Sequence, residues 1–140
     1  MLNGVLVALI GLVAALVGGA IQAFATGRFE KSKFERDAKW KTYTAYFATL
    51  GDLSFYHDDP ERMRSAMSNM ADLRGRIALY GSDEVIRAVA AIFTFADLKS
   101  DAAQAAMARA LSAMRRDVGY ASSAVTHAEL QSLMFGTRDS

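Results

Sequence analysis

His57, Asp58 and Asp59 are the densest group of metal-competent side chains in this sequence. An imidazole and two carboxylates have the right donor atoms for a zinc-type site, but such sites need three or four ligands converging from separated positions. These three are consecutive, and no second histidine stands at ligand spacing. The same residues spell a helix start, with Asp59 as N-cap and Pro60 at the first helical position. His127 is a lone imidazole inside Thr126-His127-Ala128-Glu129, which matches a capping box. Gly81-Ser82-Asp83-Glu84 has the look of a nucleophile turn, yet no histidine is near it in sequence. Helix capping explains each of its residues. The chain has no cysteine, which excludes disulfides, thiol catalysis and cysteine-ligated zinc. It also lacks a glycine-rich phosphate loop. The sequence therefore predicts no catalytic residue, no metal, no cofactor and a non-enzymatic role.

The elements that hold these residues are announced by an edge in charge. Met1 to Gly27 carry no charged side chain, and the next fourteen residues carry nine. A hydrocarbon core of about 30 Å needs about 20 apolar residues in a helix. Leu2 to Ala25 meet that length, with Asn3 and Gln22 near the two ends. Residues 1–27 are thus expected to form a transmembrane helix. Cations follow the span and none precedes it, so the N-terminus is placed outside and the remainder in the cytoplasm. That is the topology of a single-pass membrane protein. The rival is a cleaved signal peptide, for which Ala23-Phe24-Ala25 offers a small-x-small site. The missing basic start and the dense cations just after the segment oppose it.

Small residues in the span form a stripe: Gly4, Ala8, Gly11, Ala15, Gly18 and Gly19. Such a stripe lets two helices approach closely in lipid, so it is a packing face for another membrane protein or a second copy. Alanine and glycine are also common in spans, and a stripe arising from composition alone is the competing explanation. Arg28, Lys31, Lys33, Arg36, Lys39 and Lys41 then make a basic segment expected to contact lipid headgroups, at about 1 kcal/mol per cation near the surface. Residues 28–41 carry net +3 and residues 42–140 net −2. No basic patch of nucleic-acid size remains.

A single proline, abundant Ala, Leu, Met and Arg, and no alternating β-branched runs argue for an all-α chain. The first helix after the span should run from about Arg28 to about Phe55. Trp40, Tyr43, Phe47 and Leu50 form its buried stripe, flanked by Tyr46 and Leu53. Whether it continues the span through Gly27 stays open. Pairs Glu35–Lys39 and Asp37–Lys41 have the favourable order. The next helix spans Pro60–Tyr80, with Met63, Met67, Met70, Leu73, Ile77 and Tyr80 on one face and Gly81 as C-cap. The methionine row suits either a core or an adaptable groove. Arg74 and Arg76 point away from it, to solvent or membrane. A helix capped by Ser82 carries Val85, Ile86, Val89, Ile92 and Phe93, ending near Leu98. After Lys99-Ser100-Asp101, a fourth places Ala103 through Val118 on an apolar face and ends at Gly119. Tyr120 to Val125 is looser. A short helix with Leu130, Leu133 and Met134 closes the chain. The expected architecture is an N-terminal transmembrane helix (1–27), an antiparallel helical bundle of about four to five helices (28–136), and a frayed tail (137–140).

Leu79-Tyr80-Gly81-Ser82-Asp83-Glu84-Val85-Ile86 and Ala113-Met114-Arg115-Arg116-Asp117-Val118-Gly119 resemble a pattern in small uncharacterised bacterial proteins with one N-terminal transmembrane helix. The resemblance covers residues 28–135 and implies a bacterial source and a helical cytoplasmic domain, without an activity. Leucine is more usual there at the position of Val118. The function expected is an accessory or scaffold subunit that binds a membrane protein complex through its span and helical domain. The alternative is a self-associating membrane effector or phage-type pore former.

Overall fold

The computed structural model describes residues 2–56, 58–120 and 124–136. His57, Met1, the 121–123 part of the looser stretch and the tail 137–140, for which expectations were stated above, lie outside the described residues. Five helices account for most of the rest: α1 (Leu2–Phe55), α2 (Pro60–Tyr80), α3 (Asp83–Ile92), α4 (Asp101–Asp117) and α5 (His127–Phe135). The described residues contain no strand. The chain divides into two units, Met1–Asp37 and Ala38–Ser140. α1 is continuous through Gly27, and among the described residues one helix is long and apolar enough to cross a membrane.

Local chemistry sets the helix starts of the second unit. The Asp59 carboxylate accepts from the backbone N–H of Glu61 and Arg62, both at 3.1 Å, and Pro60 takes the first helical position. Ser82 Oγ accepts from Val85 N–H at 3.3 Å and Ser100 Oγ from Ala103 N–H at 3.2 Å. Thr126 and Glu129 form the full capping box, with the Thr126 N–H donating to Glu129 Oε2 at 2.7 Å. Each of these satisfies backbone donors that a helix leaves unpaired at its start.

The core gathers from all sides of Ala38–Ser140. Tyr43, Tyr46 and Leu50 meet Met70, Leu73 and Ile77 of α2, Val85, Val89 and Ile92 of α3, and the apolar face of α4. Ala103, Ala106, Ala110 and Ala113 are fully or nearly fully buried. Methyl side chains at these positions let the α4 backbone approach closely, because interaxial distance follows side-chain size. α4 packs closely against both α3 and α5.

Several expected positions shift. α3 stops at Ile92 instead of reaching Leu98. Phe93 and Thr94 donate to carbonyls only three residues back, the Thr94 hydroxyl bonds the Ala91 carbonyl at 2.8 Å, and Asp97 organises a turn into Ser100. Trp40, Met67, Tyr80 and Leu133 are exposed, at 52%, 61%, 46% and 82%. On α2 the buried set is Ala66, Met70, Leu73 and Ile77. One residue rotates the helix by about 100°, so Ala66 takes the core position and Met67 turns out of it. Tyr46, expected beside the stripe, is the fully buried aromatic of α1.

Candidate functional site

In the unit Met1–Asp37, large apolar side chains from Val5 to Phe24 are 53–73% exposed. Gly4, Ala8, Gly11, Ala15, Gly18 and Gly19 are exposed as well. A Cβ added at any of the four glycines meets nothing within 4 Å. The stripe is therefore present as an open surface, with no occupant from the unit itself. Arg28 sits 5.7 Å above the Phe24 ring, a cation–π contact at the apolar–charged edge. Arg28, Lys31, Lys33 and Arg36 are exposed, as is Lys41.

Lys39 is engaged elsewhere. Its Nζ lies 2.9 Å from Asp117 Oδ1, with the two side chains only 22% and 9% exposed. The second oxygen of Asp117 accepts a short hydrogen bond from the Tyr43 hydroxyl and one from the Ser82 N–H at 3.3 Å. One carboxylate thus joins α1, the α2–α3 turn and the end of α4. Burial, helped by the Asp117 hydrogen bond and charge, pushes the Tyr43 hydroxyl far above the usual phenol range. It stays protonated and acts as a donor, so the cluster holds elements together and offers no phenolate base. Arg116 adds a second tie by pairing with Glu84 and donating to Ser112 Oγ at 3.0 Å.

Sequence patterns missed Asp117 because its partners lie 78, 74 and 35 residues away. One local signal was available. A carboxylate at the last residue of a helix opposes the negative end of the helix dipole. An unfavourable local choice of this kind points to a tertiary partner.

Beside this knot runs a groove of about 610 Å³ within Ala38–Ser140. Its walls come from α1 between Trp40 and Phe55, from α4, and from Met134 and Phe135 of α5, with Leu98 and Lys99 at the α3–α4 connection. Apolar side chains dominate, methionine and aromatic residues prominent among them, and the charged residues lining it are Lys99 and Arg115. A smaller cleft of about 300 Å³ between α3 and α4 includes Arg87, Arg109, Arg116, Glu84 and His127. No three His, Cys, Asp or Glu side chains gather as a metal group among the described residues.

Comparison with known protein families, curated proteins and solved structures finds no match to this chain.

Proposed function

We propose that this chain is a non-enzymatic, single-span membrane protein, an accessory or scaffold subunit. Its span and helical unit bind a membrane protein complex. The observation that carries the proposal is the exposed apolar run from Val5 to Phe24 on one continuous helix, followed at once by cations from Arg28. An apolar surface of that extent is unfavourable in water and favourable in lipid. In this reading the N-terminus lies outside a bacterial inner membrane and residues 28–136 form an antiparallel helical bundle in the cytoplasm. The exposed cations Arg28 to Arg36 and Lys41 contact anionic headgroups. The stripe from Gly4 to Gly19, open at every glycine, is the packing face for the partner span.

Gly11→Leu combined with Ala15→Leu fills that face without adding charge. The tagged full chain is extracted in mild detergent and the recovered proteins are identified. Loss of a stoichiometric membrane partner supports the proposal, and unchanged recovery refutes docking through the stripe. Resistance of the parent chain to alkaline carbonate tests anchoring separately. The second reading is self-association, which the same open stripe favours. Cross-linking in membranes that yields a ladder of self-products, with no foreign partner, selects it.

A further inference from the structure

We infer that the groove between α1, α4 and α5 is a binding site for a single-chain anionic amphiphile of the long-chain carboxylate type. Its volume of about 610 Å³ falls within the range of roughly 300–1,000 Å³ typical of small-molecule sites. It is also elongated. From Trp40 to Phe55 the α1 wall extends about 22 Å at about 1.5 Å per residue, the dimension of an extended acyl chain rather than of a compact metabolite. Phe47, Met107, Leu111 and Met134 supply adaptable apolar contacts along it.

Charge selects the head. Both charged lining residues, Lys99 and Arg115, are cations, and no carboxylate lines the groove. Arg115 is partly buried and its guanidinium lies 5.2 Å from the Tyr120 ring, whose other neighbour is Trp40 at 6.3 Å. A guanidinium presents two parallel donors that match a carboxylate, and partial desolvation strengthens the pair. We place the head at Arg115 and the chain along Phe47 and Met107. Lys99 is exposed and contributes less.

Gly51 keeps the site open. It lies inside α1, where glycine costs about 1 kcal/mol relative to alanine. It lines the groove, and a Cβ built on it meets nothing within 4 Å. A Cβ there would enter the groove without touching a neighbour. The inference concerns Ala38–Ser140 alone and does not depend on membrane anchoring.

Trp40, the sole tryptophan, lines the groove and reports on it. The full chain in phosphatidylcholine nanodiscs is titrated with hexadecanoate brominated at mid-chain, and Trp40 quenching is read. The expected result is saturation at one equivalent per chain. Gly51→Phe should weaken it about tenfold or more by filling the groove. Arg115→Gln should do the same by about tenfold or more, the loss of one charged hydrogen bond. Lys99→Gln should change it less, and the methyl ester should bind weakly to the parent chain. Equal quenching in Gly51→Phe means the acid merely partitions into the bilayer and overturns the proposal. So does an ester that binds as well as the acid. If the acid fails to bind while Gly51→Phe abolishes self-association, a second copy occupies the groove, and the proposal falls. A chain that does not enter the discs refutes the anchoring instead, and the same titration is then read in solution.

Discussion

Asp117→Asn should destabilise the helical unit by about 2–4 kcal/mol. The carboxylate is only 9% exposed and serves Lys39, Tyr43 and the Ser82 N–H together. Asparagine keeps its volume and one carbonyl acceptor but loses the charge, and its amide NH₂ must take the place of either the oxygen that serves Lys39 or the one that serves Tyr43 and Ser82. One hydrogen bond involving a charged group is lost, worth about 1.5–3 kcal/mol, and a donor left unpaired in a buried place adds about 1–3 kcal/mol. Because Lys39 is 22% exposed and reaches water, the lower half of that sum applies. Asp117→Ala abolishes all three contacts and should cost about 3–5 kcal/mol. For a unit of this size, about 4–8 °C of melting temperature accompanies each kcal/mol, so the asparagine variant should melt roughly 8–32 °C lower. Urea unfolding of the full chain in nanodiscs, followed by Trp40 emission, measures it. A double-mutant cycle with Tyr43→Phe should give a coupling of about 1 kcal/mol or more. Additive effects, or an asparagine variant within about 0.5 kcal/mol of the parent, would refute the central role given to this carboxylate.

The two core tyrosines of α1 should respond oppositely to loss of the hydroxyl. Tyr46 is fully buried and its hydroxyl has no hydrogen-bond partner among the described residues, so Tyr46→Phe should be neutral or stabilising by up to about 1–2 kcal/mol. Tyr43→Phe should destabilise, and equilibrium unfolding of both variants decides. Two glycines should also diverge. Gly75 lies inside α2 with open space at its Cβ position, so Gly75→Ala should raise stability by about 0.5–1 kcal/mol. At Gly81 a Cβ would come within 2.6 Å of the Ile77 carbonyl oxygen, so Gly81→Ala should cost about 1–3 kcal/mol, and matched thermal melts separate the two. Hydrogen bonds from the Thr126 backbone and hydroxyl hold the Glu129 carboxyl below its ordinary value of 4.5. A depressed carboxyl stabilises the fold above its unfolded value and loses that contribution as pH falls through the folded one. Amide exchange in α5 should therefore speed up as pH drops below about 4.5 after correction for intrinsic rates, and Thr126→Ala, which keeps the backbone N–H but loses the hydroxyl, should weaken the pH dependence.

Local signals were readable wherever a side chain acts on its own backbone. Asp59-Pro60, Ser82, Ser100 and the Thr126–Glu129 pair each start a helix where the sequence indicates. Burial was less legible, because a helix with apolar residues on two sides does not say which side meets neighbours. Met67 and Leu133 are exposed for that reason, while Ala66, too small to stand out in a periodicity, is core. α3 reads six residues too long because its apolar pattern continues past Ile92 into turns that Thr94 and Asp97 impose. In the candidate site, the stripe glycines and the basic residues were visible in sequence. The groove and the Asp117 knot were not, since both join residues far apart along the chain.

The knot also imposes an order on synthesis. Lys39 and Tyr43 leave the ribosome 78 and 74 residues ahead of Asp117. At about 5–20 residues per second, Lys39 waits roughly 4–16 s for its carboxylate. Before that interval ends α2 and α3 are complete, but the α1 end that receives them still has a cation and a phenol without their Asp117 acceptor. Closure of the helical unit is thus tied to the emergence of the last turn of α4. A nascent chain stopped before Asp117 is one in which proteases and chaperones meet an open fold.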